Sequence, residues 1–309
     1  THPRSSAASD VYKRQLDIPY YVLDYTESFS KNVVDNFTQM YAQGLTPNPC
    51  VECNRSVKFD HFINQAKKLN CDKVATGHYA KIIKKNDNYE LHKADYLDKD
   101  QSYVLHMLQS SDLENITFPL GEISKPEVRQ IAARIGLRTA FKKDSQDICF
   151  VGKKDYRSFV EKRIDLTSPG EIFDTKGNKV GDHNGIHEFT VGQRKGLPGG
   201  YGTPRYVTKI NVQNKNVTIG EKNDLLVSSF IIEELSCIND LEYKNLTIQT
   251  RYNSEDLPCE IKKLSDTEVL VQLKEPAFSV APGQFGVIYN GTKVVCGGRI
   301  SPKVLENVE

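Results

Sequence analysis

The apolar periodicity of this chain changes character once, and that change restricts the folds open to it. In the first half, short apolar runs alternate with helical stripes. Phe29, Val33, Phe37 and Tyr41 recur every four residues ahead of Gly44, and Phe59, Phe62, Ile63, Ala66 and Leu69 form a second such face. Strand-like runs flank them, Ile18 to Leu23 and then Lys73 to Ala75, the latter leading into Gly77-His78. This alternation predicts an α/β domain with parallel strands, whose ligands sit beyond the strands' carboxyl ends, where Gly77 and His78 fall. From Tyr206 onward the pattern is short strands: Val207 to Val212, Val217 to Ile219, Phe230 to Ile232, Leu246 to Tyr252, Glu268 to Leu273, and a hairpin turning at Asn290-Gly291. Short strands so closely spaced predict a small barrel or sandwich.

Local signals refine this outline. Ile82 and Ile83 face Tyr89 and Leu91 across Asn86-Asp-Asn, a predicted hairpin. Ser124-Lys-Pro-Glu127 is a capping box with proline in the first turn, so a helix is predicted, with Val128, Ile131 and Ile135 as its buried stripe and Gly136 as its stop. Beyond Val151 the text turns basic: Lys153, Lys154, Arg157, Lys162 and Arg163 surround Tyr156 and Phe159, and Arg194 and Lys195 come later. Such a cluster is either a solvated helix face or a nucleic-acid surface. The whole chain, with a formal net charge of +1 over 309 residues, makes no case for nucleic acid. Its length suits two or three domains. No apolar run approaches the roughly 18 to 20 residues of a membrane span, and no secretory apolar core opens the chain. Residues 1–15 read as a polar leader unlike the rest of the chain.

The chemistry-bearing stretch is Pro47-Asn-Pro-Cys50-Val-Glu-Cys53. Each proline fixes its own φ and holds the residue before it extended, so the two thiols sit behind a stiffened loop. Seven cysteines spread over the chain are neither the density nor the even count of a stapled secreted domain, and suit a reducing cytosol. There a C-x-x-C is more often catalytic or metal-binding than structural, with an incidental pair as the alternative. Zinc needs four ligands, and after Cys50 and Cys53 the next candidates are His61 and Cys71, with no second tight pair. A reactive thiol needs help to ionise, which Arg55 and Lys58 near Cys53, Lys142 and Lys143 near Cys149, and a helix N-terminus at the loop are placed to give. Cys53 and the distant Cys149 exchange only if their Cα atoms come within roughly 7 Å.

Seven strings in order resemble the tRNA-specific 2-thiouridylases, which place sulfur on the wobble uridine. They are Gly44-Leu-Thr-Pro-Asn-Pro-Cys-Val-Glu-Cys-Asn, Ala75-Thr-Gly-His-Tyr-Ala, Lys99-Asp-Gln-Ser-Tyr-Val-Leu, Phe118-Pro-Leu-Gly, Asp144-Ser-Gln-Asp-Ile-Cys-Phe-Val, Thr190-Val-Gly-Gln-Arg-Lys-Gly-Leu and Pro282-Gly-Gln. The resemblance implies a PP-loop α/β catalytic domain over 16–155, incomplete at its start, a tRNA-binding connector over 156–221 and a β-barrel over 222–309. It implies ATP, with Mg2+, to adenylate the uridine C2 oxygen, and a sulfur-donor or relay protein to load a persulfide. By the match Cys149 carries the persulfide and Cys53 attacks it, so that a Cys53–Cys149 disulfide is the spent state. Gly77 falls where the family contacts ATP. Asn48, Pro49 and Cys50 fall where it holds the base, and His78, Lys99, Asp100, Gln101, Arg251, Tyr252 and Gln284 where it contacts tRNA, those for Lys, Glu and Gln. Some members carry Asp where this chain has Cys50, which leaves Cys50 a neighbour of the base. The family also opens with a Ser-Gly-Gly-Val-Asp-Ser phosphate loop, and nothing like it precedes Leu16. Weak or absent ATP binding by the chain as written is therefore expected, with residues 1–15 read as a truncated or misjoined start. Two other readings stand beside this one: a tRNA-binding chain without activity, and a thiol redox or zinc protein using Cys50 and Cys53.

Overall fold

The computed structural model describes residues 21–144, 148–151, 155–164, 168–238 and 244–307, with the side chains of 304–307 excepted. The leader 1–15, the run from Ile18 to Tyr20, and Lys153 and Lys154 lie outside the described residues; Tyr21 to Leu23 form no strand. The first helix runs from Thr26–Phe29 through wider turns at Ser30–Asp35 into Asn36–Ala42, and buries Val33, Phe37 and Tyr41 as its period requires. Gly44 comes next at φ +66°, a conformation that reverses the chain without the strain a side chain would add. The second helix starts at Pro49–Cys53 and continues through Asn54–Phe59 into Asp60–Lys68.

Strand β1 (Val74–Ala75) precedes the hairpin β2 (Ala80–Lys85) and β3 (Asn88–Lys93), which pairs Ile82 with Leu91 as expected. β4 (Ile116–Thr117) lies parallel to β1, with Val74 opposite Ile116. The helix Lys125–Arg134 has its capping box, Ser124 with Glu127, and ends at Gly136 at φ +76°. Its expected buried stripe is absent: Ile131 and Ile135 are 44% and 55% exposed, because no described element lies over that face. The second helix departs similarly. Ile63 is buried, but Phe62 and Leu69 face a surface groove shared with Tyr21, Leu23 and Val74.

The connector holds β5 (Gly170–Asp174), β6 (Lys179–His183), β7 (Tyr206–Asn211) and β8 (Asn216–Gly220) in the order β6-β5-β8-β7, around Ile172, Phe189, Val207, Val217 and Ile219. The tail comprises β9 (Leu226–Cys237), β10 (Leu246–Gln249), β11 (Leu257–Lys263), β12 (Val269–Phe278), β13 (Phe285–Asn290) and β14 (Lys293–Asn307). They run β13-β10-β11-β12-β9-β14, and β14 pairs back onto β13, closing a six-stranded barrel. Closure leaves no edge along the ring. β3 joins the outside of β14 at His92–Lys293. One core crosses this junction, with Val51, Phe59, Tyr103 and Leu105 packed against Phe285, Val287 and Tyr289. The cysteine helix therefore rests directly on the barrel.

Candidate active site

Three contacts clamp the Pro47–Pro49 loop to the β12–β13 turn. Thr46 N–H donates to the Pro282 carbonyl at 2.9 Å, and the Gln284 side-chain amide donates to the Thr46 and Pro47 carbonyls at 3.2 and 3.4 Å. Gly283, at φ +89°, lies so close that a Cβ there would sit 2.8 Å from Thr46 N. The Asn48 side chain accepts the Cys50 N–H at 3.2 Å and caps the helix that starts at Pro49. Thr46 to Asn48 are thus positioned from one side by proline geometry and from the other by the barrel. Glu52, between the two thiols, is 4% exposed; its Oε1 accepts from Arg299 of β14 at 2.9 Å, and Arg299 also meets Glu234 of β9. Arg55, which the sequence offers as help for Cys53, is paired with Glu52 instead.

Cys149 reaches this loop from the other side. Ile148 and Phe150 pack with Phe37 and Tyr41 on the first helix, the Phe37 and Phe150 rings meeting edge to face at 5.2 Å. Cys149, between them in a turn, is exposed. Desolvation by the surrounding protein pushes up the half-buried Cys53 thiol, and that of Cys50 even though its side chain is exposed; Lys58 opposes this and Cys149 adds to it. The helix dipole acts mainly on Cys50, in the first turn, whereas Cys53 stands at the end of that segment. Both thiols are therefore held protonated at rest, contrary to the thiolate-favouring setting expected from sequence, because desolvation outweighs the nearby cation. The structure does not gather Cys50, Cys53, His61 and Cys71 as a ligand set: His61 stacks on Tyr25 at 4.8 Å and meets Ser28 Oγ at 2.9 Å. Among the described residues, the cluster of three possible metal ligands is Glu161, His187 and Glu188, in the connector.

Beyond the carboxyl end of β1, Gly77 and His78 line a cavity of about 350 Å³ with Lys58, Phe62, Thr76 and Gln101. Burial and then Lys58 lower the His78 pKa to about 4, so its ring is neutral, with Nδ1 meeting Thr76 Oγ1 at 2.8 Å. The space beside Gly77 is open, the nearest side-chain atom to a Cβ there being Leu120 Cδ1 at 3.8 Å. This donor set fits part of a nucleotide, with Lys58 suited to a phosphate and Gly77 to close approach of a ring. It does not fit Mg2+, since none of the six lining residues is a carboxylate.

Of the other candidates, Asp100 and Tyr252 line a neighbouring cleft. Asp100 is buried; its carboxylate accepts the Ala94 N–H at 2.8 Å and the Ser102 hydroxyl at 2.6 Å, and fixes the loop on which Gln101 exchanges hydrogen bonds with Tyr79. Lys99 pairs with Asp144 at 3.0 Å. Tyr252 is 41% exposed in a cleft of about 510 Å³ with Asp100, Tyr103 and Lys93. Arg251 instead donates to the Ser279 carbonyl and hydroxyl at 2.8 and 2.7 Å. Pro49 is buried. Sequence reading missed Glu52 and Arg299, which are 247 positions apart and share no local motif. It also missed Tyr103, whose hydroxyl donates to the Phe285 carbonyl at 2.8 Å and ties the cleft to the barrel.

An α/β domain succeeded by two β modules describes a class of multidomain enzyme. Residues 3–153 match the family model described as the tRNA methyl transferase HUP domain, 157–221 the tRNA methyl transferase PRC-barrel domain, and 227–300 the aminomethyltransferase beta-barrel domain. The chain is 41% identical over 305 residues to the tRNA-specific 2-thiouridylase MnmA of Lachnoclostridium phytofermentans, covering 96% of this chain and 85% of that protein. It is 41% identical over 308 residues to the MnmA of Rickettsia prowazekii (96% and 86%), and 42% over 293 residues to that of Chloroflexus aurantiacus (93% and 81%). The chain belongs to the tRNA-specific 2-thiouridylase family.

Proposed function

We propose that this chain delivers sulfur to C2 of the wobble uridine of tRNA, with Cys149 as persulfide carrier and Cys53 as the thiol that resolves it. What supports this reading is that Ile148 and Phe150, on either side of Cys149, pack on the first helix, against which the Pro49–Cys53 turn also lies. ATP, when bound, supplies the adenylyl group that makes the uridine O2 a leaving group. This chain's residues do the rest. Asn48, Pro49 and Cys50 frame the base, and Gly77 and Lys58 border the nucleotide cavity. The outer sulfur of the Cys149 persulfide leaves toward C2 when Cys53 attacks the inner sulfur, and a Cys53–Cys149 disulfide results, which a dithiol reductant must open before the next turnover. Cys53 must lose its proton for this. Lys58 favours that loss against burial.

Within this reading, 16–155 is the catalytic domain, 156–221 the tRNA-binding connector and 222–309 the barrel. His78, Lys99, Asp100, Gln101, Arg251, Tyr252 and Gln284 border or brace the RNA path, of which the 510 Å³ cleft beside Tyr252 is one part. The substrates are the tRNAs for Lys, Glu and Gln, the sulfur arrives from a persulfide relay protein, and the setting is cytoplasmic. The test is 2-thiouridine formation on unmodified tRNA with ATP and a persulfide donor, run on this chain and on a version preceded by a Ser-Gly-Gly-Val-Asp-Ser loop. Product dependent on both Cys53 and Cys149 is expected. Inactivity of the loop-bearing version would overturn the reading.

A further inference from the structure

The C-terminal barrel contains a second thiol pair, remote in sequence from the Pro-Asn-Pro loop and not used by the reaction above. Cys237 ends β9 and Cys296 lies in β14, and the two stand directly opposite each other in the antiparallel register. The Ile238 N–H donates to the Val295 carbonyl, so the adjacent 238–295 pair is the hydrogen-bonded one. Alternation makes 237–296 a non-hydrogen-bonded pair, whose Cα atoms lie about 4.5 Å apart, at the short end of the range a disulfide spans. The side chains share a face of the sheet. They differ in access: Cys296 is fully buried in the barrel core, while Cys237 is half-buried at the strand end.

We propose that Cys237 and Cys296 are a reversible oxidation site, closed by peroxide to a cross-strand disulfide that staples β9 to β14. The accessible Cys237 sulfur attacks one peroxide oxygen. The O–O bond breaks, Cys237 becomes a sulfenic acid, and the other oxygen leaves as water with the thiol's proton. The Cys296 sulfur then attacks the Cys237 sulfur, the S–O bond breaks, and a second water leaves. In total two thiols and one hydrogen peroxide give one disulfide and two waters. The register sets the Cys296 thiol directly opposite the Cys237 sulfur, so a sulfenic acid formed at Cys237 meets its resolving thiol first. Disulfides across a single strand pair are strained and easily reduced, which suits a switch and not a permanent staple. The site also has a route to the loop chemistry. Within three residues of these cysteines on the same two strands lie Glu234 and Arg299, and Arg299 holds Glu52 between Cys50 and Cys53.

The test is limited hydrogen peroxide treatment of the full chain and of its Cys53→Ser/Cys149→Ser double variant. Each is then denatured in excess N-ethylmaleimide and mapped by non-reducing peptide mass spectrometry. We expect a 237–296 cross-linked peptide in both proteins, a loss of two titratable thiols in the double variant, reversal by dithiothreitol, and no such peptide in Cys237→Ser. Recovery of Cys296 as its maleimide adduct while Cys237 is carried to sulfinic acid would overturn the proposal. So would recovery of both as maleimide adducts after the exposed Cys71 has been oxidised.

Discussion

Replacing Arg299 with methionine tests how the barrel holds the cysteine helix. The change keeps much of the side-chain volume but removes the charge that faces Glu52, which is 4% exposed. Stranding one member of a buried ion pair costs about 3–5 kcal/mol. The lower end applies here, because Glu52 keeps Arg55, whose side chain is 47% exposed and so only a partial replacement. A loss of about 3 kcal/mol lowers Tm by roughly 2 °C per kcal/mol in a chain of this size, or about 6 °C. Glu52→Gln combined with Arg299→Met removes both charges and should recover most of that loss. Thermal melts of the four proteins give the coupling. Cys53 alkylation provides a second readout, because a loosened Pro49–Cys53 turn should expose its thiol and speed modification several-fold in Arg299→Met. A Tm within about 1 °C of wild type, or a double variant no better than the single one, would show that the Glu52–Arg299 pair does not hold the helix.

Four further outcomes are expected. Gly283→Ala, made in the loop-bearing protein, puts a methyl 2.8 Å from Thr46 N and should break the Thr46–Pro282 hydrogen bond, cutting 2-thiouridine formation more than tenfold while circular dichroism stays unchanged. Burial holds His106 at about 4 against an unfolded value near 6.5, so the unfolded state binds the extra proton first. Its contribution is full above about pH 6.5 and is lost as the pH falls toward 4, by up to about 3 kcal/mol; His106→Gln should flatten the fall of Tm across that window. Iodoacetamide at neutral pH should label the exposed Cys149 and Cys71 first and Cys259 and Cys296, both buried and with thiols pushed up, last, as peptide mapping over time will show. Lys58→Met should raise the apparent pKa for Cys53 alkylation, because Lys58 opposes the effect of burial there.

Much of this fold was legible in the chain because local rules governed it. The four-residue spacing of Val33, Phe37 and Tyr41, the Ser124 capping box and the Asn290-Gly291 turn each specify their element within a few residues, and each element formed. β11 was missed: Leu257–Lys263 mixes charges and a proline with few apolar residues, and its pairing with β10 and β12 supplies what its own sequence does not. The Ile131–Ile135 face misled because periodicity reports that a face is apolar and not that anything covers it. In the site, the Pro-Asn-Pro-Cys loop and the strand end at Gly77 were readable as local geometry. The protonated state of Cys50 and Cys53 was not, since burial by distant segments decides it. The clamp by Gln284 and Arg299 was likewise out of reach, because no pattern in either segment encodes a partner more than two hundred residues away.

The most direct test of sulfur transfer through Cys149 is a single turnover on unmodified tRNA. The loop-bearing protein is loaded with persulfide, freed of donor, and given ATP, and both 2-thiouridine and the Cys53–Cys149 peptide are quantified. One disulfide-linked peptide per 2-thiouridine formed is expected, with neither appearing in Cys149→Ser. Thiouridine formed by Cys149→Ser, or formed by the unsubstituted protein with Cys53 and Cys149 both still free, would contradict it.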